Sequence, residues 1–143
     1  VKGWRVAAVD QGSSATKGAV FGEDLEVLAE ARVAIGVARD GDRVEHDALE
    51  IAASVDSTLD ELERRAGPFS ALGLAVQRSS CLLWDRGTAA PLSPVISWQD
   101  RRHALAAERL DEALAARVRE ATGLFVSPHY AALKLRGLLD GDR

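Results

Sequence analysis

A single cysteine stands in 143 residues, aromatic side chains make up only 5%, and apolar runs are short throughout. Each shortage excludes something. Cys81, alone inside an apolar stretch, rules out a disulfide framework, reads as a packed side chain, and points to a reducing cytoplasm. With no apolar run near the ~20 residues of a membrane span, no membrane-embedded segment is expected. The N-terminus also lacks the pattern of a secretory leader. Basic charge is not in excess either: the net charge is −4, which leaves no basic face for nucleic acid. His46, His103 and His129 are too scattered in sequence to suggest a zinc cluster. No repeat, low-complexity tract or linker breaks the chain. What is present, 47% hydrophobic and 28% charged residues, suits one soluble domain large enough to bury a core.

The stretch that organises the rest covers residues 6–21. An apolar run ends on Asp10, a small turn Gln11-Gly12-Ser13-Ser14 follows, and a second apolar run returns with Lys17 near its start. Strand, tight turn and antiparallel strand place Asp10 at the end of a buried strand. The turn's N–H groups and the hydroxyls of Ser13, Ser14 and Thr16 are then expected to face one space. Phosphate with a divalent cation suits such a place, with donors and Lys17 for the oxygens and one carboxylate for the metal. On these residues alone an ordinary hairpin turn is the simpler reading.

The remaining chain follows in order. Residues 26–35 alternate apolar and polar, which predicts a third antiparallel strand after a short turn at 22–24. Residues 36–43 read as a loop. Asp47 is an N-cap with Glu50 completing a capping box, and Ala48, Ala52, Val55, Leu59, Leu62 and Ala66 form the apolar stripe of a helix ended by Gly67-Pro68. Residues 71–76 are a continuous apolar run, predicting a strand buried on both faces. It stops at Gln77-Arg78-Ser79-Ser80, and polar residues at the end of such a strand look into a crevice. A hairpin of residues 81–84 and 95–98 is expected next, turning at 85–88. One helix is predicted over 99–122, with Arg101 and Arg102 set against its dipole in the first turn, a conflict that a salt-bridging pair would explain. Gly123 ends it, and a short helix over 130–140 ends at Gly141. Three antiparallel strands, a helix, a buried strand and a helical pair make the first part of a ribonuclease-H-like α/β fold with a mixed sheet, the unit shared by actin-like ATPases and sugar kinases.

Five segments in this order resemble the N-terminal portion of the FGGY carbohydrate kinases, and among them the glycerol kinases most closely. They are Asp10-Gln11-Gly12-Ser13-Ser14, Val44-Glu45-His46-Asp47, Val76-Gln77-Arg78-Ser79 with Leu83-Trp84-Asp85, Ser97-Trp98-Gln99-Asp100-Arg101-Arg102, and Thr122-Gly123-Leu124 with Pro128 and Lys134-Leu135. The resemblance spans essentially all of residues 1–143 as one substrate- and phosphate-binding domain. It implies ATP-dependent phosphorylation of a polyol or sugar hydroxyl, with ATP and Mg²⁺ as cofactors. Asp10 would hold Mg²⁺, while Gln11, Gly12, Ser13, Ser14 and Lys17 would lie against phosphate. Gln77, Arg78, Ser79, Trp98, His129 and Tyr130 would form the substrate side, with Arg78 bonding hydroxyls and the Trp98 ring lying along a carbon chain. The family also implies a possible homo-oligomer.

Departures from the family pattern carry weight. Ser79 stands where glycerol kinases have Glu, and His129 where they have Tyr, with Tyr130 one place on. A pocket built around hydroxyl hydrogen bonds discriminates by as much as ~10⁴-fold, so another small polyol or a ketose competes with glycerol as substrate. The family's catalytic base and adenine-binding domain lie beyond Arg143, and Asp47, Asp85 and Asp100 read as caps, turn residues or ion-pair partners. Residues 1–143 alone are therefore expected to be inactive. The alternative reading is a non-catalytic or switch-type actin-like nucleotide-binding domain.

Overall fold

Alternation in the first third of the chain does build a sheet. In the computed structural model, which describes residues 3–141, the strands in chain order are β1 (Val6–Gln11), β2 (Ala15–Phe21), β3 (Val27–Ala34), β4 (Ala38–Asp40), β5 (Arg43–His46), β6 (Ala71–Val76) and β7 (Val95–Ile96). The helices are α1 (Ala48–Ala66), α2 (Ala104–Glu108), α3 (Glu112–Thr122) and α4 (Ala131–Asp140). The chain divides into two units, residues up to 37 with His46–Gln77, and Ala38–Glu45 with residues from 78 onward. Among the described residues no helix is long and apolar enough to cross a membrane.

The first unit holds the sheet β3-β2-β1-β6, antiparallel in its first three strands and parallel where β6 joins β1. The crossover is α1. Asp47 caps it by accepting from the N–H groups of Leu49 at 2.7 Å and Glu50 at 3.1 Å. The expected capping box does not close. The Glu50 carboxylate instead accepts from the Gly36 N–H at 2.9 Å, so the third helical position ties α1 to the segment after β3. The buried stripe also differs from the predicted one: Ser54, Thr58 and Leu62 are its buried positions. Small polar side chains can be buried here because their hydroxyls bond locally, Thr58 to the Ser54 carbonyl at 2.7 Å and Ser54 to the Ile51 carbonyl at 2.7 Å.

Those residues lie over Gly18 of β2. A Cβ placed there would stand 2.7 Å from Leu62 Cδ1 and 2.9 Å from Thr58 Cγ2, so glycine lets the helix approach the sheet. Around this contact Ala7, Val9, Val20 and Ala29 of the sheet and Leu62 of α1 form the core. Gly18→Val is expected to lower stability by about 1–3 kcal/mol through overpacking, read as a lower urea midpoint; an unchanged midpoint would mean the contact is loose.

β6 corrects an expectation. It is exposed along its whole length, with Leu72, Leu74 and Val76 about half accessible. A continuous apolar run specifies what a strand can bury, not what covers it. Here α1 packs on β3 and β2 and barely reaches β1.

The second unit holds the sheet β4-β5-β7. Residues 36–43, expected as a loop, contain β4 and the start of β5, paired antiparallel as Ala38↔Glu45, Arg39↔Val44 and Asp40↔Arg43. A hairpin this short and polar carries no apolar period to reveal it. The expected hairpin at 81–98 shrinks to isolated bridges, Cys81↔Ile96 and Trp84↔Pro91, beside the two-residue β7. The expected helix over 99–122 is broken into α2 and α3, and residues 99–103 are not helical. The break has two causes. The Asp100 carboxylate accepts from the Val44 N–H at 2.7 Å, fastening that segment to β5. Asp111 then caps α3 by accepting from the Leu114 N–H at 3.1 Å.

Candidate functional site

The β1–β2 hairpin sets which side chains share a face. Asp10 pairs in register with Lys17, and Gln11 with Thr16. Because strands alternate, Asp10 and Lys17 lie on the face away from α1 and are exposed, whereas Gln11 and Thr16 are buried on the helix side. Thr16 therefore does not share the space of Ser13 and Ser14 as expected. Its hydroxyl is 2.6 Å from the Ser54 hydroxyl. An open cavity of about 550 Å³ covers the outer face, with Ala8, Asp10, Lys17, Ala19 and Ala75 among its lining.

The turn is held from beneath. The Gly12 N–H donates to the Ala15 carbonyl at 3.0 Å, and the Ile35 N–H donates to the Ser14 carbonyl at 3.2 Å. The Gln11 amide nitrogen donates to the Gly12 carbonyl at 2.8 Å. The Gln77 amide nitrogen, just past the end of β6, reaches the same carbonyl at 3.1 Å and the Gln11 Oε1 at 3.2 Å. Both glutamines thus brace the hairpin. Among the described residues, Asp10, Ser13, Ser14 and Lys17 have no side-chain hydrogen bond or ion pair to one another or to a neighbour. A braced turn with unengaged carboxylate, hydroxyls and ammonium at its mouth can receive a charged ligand without first breaking internal bonds.

In the second unit the structure draws Ser79, Trp98 and His129 together. Ser79 sits at φ +64, a left-handed conformation that few non-glycine residues adopt. The Trp98 N–H donates to the Ser80 hydroxyl at 2.9 Å, and His129 Nδ1 lies 3.1 Å from the Trp98 carbonyl. A carbonyl only accepts, so Nδ1 carries a proton; in the neutral tautomer with that proton, Nε2 is the acceptor. The two rings are 6.3 Å apart and inclined by 44°, with Trp98 40% exposed. Arg78 and Tyr130 are exposed; Arg78 adjoins Ser79, and Tyr130 stands at the N-terminus of α4 without capping it.

Sequence reasoning placed Lys134 in a segment that resembles the family but gave it no role in the site. Its Nζ donates to the carbonyls of His129 at 2.7 Å, Ser79 at 3.3 Å and Trp98 at 3.3 Å, from a fully buried position. A signal existed: Ala131, Lys134 and Leu138 fall on one helical stripe, where a lysine is out of place. Burial pulls its ammonium below the ordinary lysine range, with the Asp100 carboxylate acting the other way. Burial likewise pushes the Cys81 thiol up.

The conflict expected at Arg101 and Arg102 resolves into two ion pairs, both made by Arg102. Arg101 is exposed. Arg102 bonds the Asp100 carboxylate, with Nη2 2.7 Å from Oδ2, and also the Glu45 carboxylate. Burial alone would raise the Asp100 carboxyl, but hydrogen bonds from Arg102 and the Val44 N–H outweigh it and hold it below the usual carboxylate range. Burial likewise disfavours the Arg102 charge, and its hydrogen bonds to the Asp100 and Glu45 carboxylates more than offset this.

Residues 6–143 match the FGGY family of carbohydrate kinases, N-terminal domain. The chain belongs to that family. Its sequence is 37% identical over 141 residues to a glycerol kinase of Shewanella amazonensis, covering 94% of this chain and 28% of that relative. A glycerol kinase of Coxiella burnetii is 35% identical over 142 residues, with the same two coverages. Thus the FGGY chain spans little more than a quarter of the length of the curated relatives it matches. Among solved structures, Plasmodium falciparum glycerol kinase with ADP superposes with a TM-score of 0.85 at 21% identity, over 96% of this chain and 29% of that one. Gluconate kinase from Lactobacillus acidophilus gives 0.89 at 19% identity, over 99% and 29%. At such identities the likeness establishes the fold: the α/β, actin-like ATPase fold of the sugar kinases, as the element order predicted.

Proposed function

We propose that this chain is the N-terminal substrate- and phosphate-binding portion of an ATP-dependent kinase that phosphorylates a hydroxyl of a small polyol or sugar. The observation that carries the reading is the β1–β2 hairpin, braced by Gln11 and Gln77 while Asp10, Ser13, Ser14 and Lys17 stand unengaged. Phosphoryl transfer asks a protein for positioning and charge neutralisation more than for covalent chemistry. Hydroxyls at Ser13 and Ser14, the Gly12 turn and Lys17 supply donors and a cation for phosphate oxygens.

Magnesium fits the donor set. Among the described residues no cluster of three or more acidic, histidine or cysteine side chains could cage a metal. A lone exposed carboxylate matches the habit of Mg²⁺, which keeps several waters and takes one or two carboxylates plus substrate phosphate. Asp10 is that carboxylate, and the ion would supply neutralisation of phosphate charge. On the substrate side, Arg78, the exposed Trp98 ring and His129 offer donors, an apolar platform and an acceptor, which suits a neutral hydroxyl-rich ligand. Ser79 removes one acidic acceptor relative to the glycerol kinase pattern.

The base that would deprotonate the substrate hydroxyl is assigned to residues outside 1–143. Asp85 is engaged with the N–H groups of Gly87 and Thr88, Asp47 caps α1, and Asp100 is paired with Arg102. A panel of polyols and ketoses, assayed for ATP- and Mg²⁺-dependent phosphorylation with the full-length polypeptide and with residues 1–143, tests the reading. Turnover is expected from the former on at least one member and from the latter on none. No turnover on any member by the full-length polypeptide would overturn it. Restoring the acid by Ser79→Glu is expected to shift preference toward glycerol by roughly 10-fold or more, measured as the ratio of kcat/KM values.

A further inference from the structure

Lys134 is buried to the same degree as Leu138, one turn further along α4. Packing alone would be served as well by leucine. An ammonium has three donors and no acceptor, and three backbone carbonyls meet it, those of Ser79, Trp98 and His129. These carbonyls lie 55, 36 and 5 residues away in sequence, so one side chain ties three separate segments. Each segment carries candidate substrate residues: Arg78 precedes Ser79, Trp98 is itself one, and Tyr130 follows His129. The Trp98 carbonyl takes a second donor from His129 Nδ1, so the indole-bearing segment is tied to α4 both directly and through the histidine. Ser79 is held in its left-handed conformation where its carbonyl meets the lysine, and such conformations persist only when their surroundings fix them.

We propose that Lys134 is a positioning residue: its ammonium gathers the carbonyls of Ser79, Trp98 and His129 and thereby sets the spacing of Arg78, the Trp98 ring and Tyr130 for a polyol. The inference rests on the substrate reading above, and its two parts are separable by experiment. The first arm needs no substrate. Lys134→Met keeps an unbranched chain only one atom shorter and removes all three donors. Backbone amide exchange is expected to accelerate about 10-fold or more in the segments around 79–81, 98–100 and 129–131 together, with β1, β2, β3 and α1 unchanged. Exchange like that of the wild type, or acceleration spread evenly over the chain, would overturn the hub.

Should Lys134→Met fail to fold, the wild-type chain itself supplies the reading. The Lys134 ammonium should give a slowly exchanging ¹⁵Nζ resonance with through-hydrogen-bond couplings to the carbonyl carbons of Ser79, Trp98 and His129. A rapidly exchanging ammonium without those couplings sinks the hub. The second arm uses the full-length polypeptide. Lys134→Met is expected to raise the KM for the polyol about 10-fold or more while the KM for ATP stays within about twofold. Accelerated exchange in the three segments with an unchanged polyol KM keeps the hub and overturns the polyol assignment of those segments. A raised polyol KM without changed exchange does the reverse.

Discussion

Asp10→Asn is expected to cut the ATP-dependent phosphorylation proposed above by roughly 100-fold or more, the scale on which removing one preorganised charge contact acts. The substitution keeps the shape of the side chain and removes its negative charge. Because Asp10 is exposed and makes no side-chain bond to a neighbour, the fold has nothing to lose, and the thermal midpoint should move by no more than about 0.5 kcal/mol equivalent. The half-saturating Mg²⁺ concentration should rise, and the polyol KM should stay nearly constant. Steady-state kinetics over a Mg²⁺ series separates these quantities. Turnover within a factor of two of wild type would remove Asp10 from the metal side and return the hairpin to an ordinary turn. Asp10 is expected to hold the ion, not to start the reaction as a base.

Arg102→Met should produce the largest loss of stability. It leaves Asp100, whose side chain is 0% exposed, as a buried carboxylate without its cation, and broken buried pairs cost about 3–5 kcal/mol. Glu45 loses its partner too. Urea unfolding at neutral pH reads the loss directly, and a change below about 1 kcal/mol would place this pair among exposed bridges of little worth. The same pair predicts a pH dependence. The Asp100 carboxyl is depressed in the folded state, so the unfolded chain binds its proton first as pH falls. Its contribution is complete above the unfolded value, about 3.9, and is lost as pH drops through the lower folded value. Wild type should therefore weaken in that acid window. Asp100→Asn should flatten that part of the profile.

Much of this was legible in the residues. The hairpin around Asp10 follows from period-two alternation on both sides of a glycine turn, and α1 follows from Asp47 and the Gly67-Pro68 stop. Those signals are local, and local chemistry decides them. What was misread depended on partners distant in sequence. Residues 99–103 look helical until Val44 claims the Asp100 carboxylate. Thr16 looks like a phosphate donor until the register with Gln11 places it on the helix side beneath Ser54. Ser54 and Thr58 look like solvent-facing residues until Thr16 meets the one and Gly18 makes room for the other. The residue types proposed for a substrate at Arg78, Trp98 and His129 can be read from the sequence, but the lysine gathering the carbonyls of Ser79, Trp98 and His129 cannot. A buried cation takes its meaning from carbonyls that no sequence pattern announces.

The bare flank of β6 has a practical consequence. Its outer edge offers unpaired backbone groups, and Leu72, Leu74 and Val76 stand beside them with no lysine or proline within the strand to discourage another backbone from joining. Such an edge is adhesive. Yield and shelf life of a preparation of residues 1–143 should fall with concentration well before catalysis becomes a question.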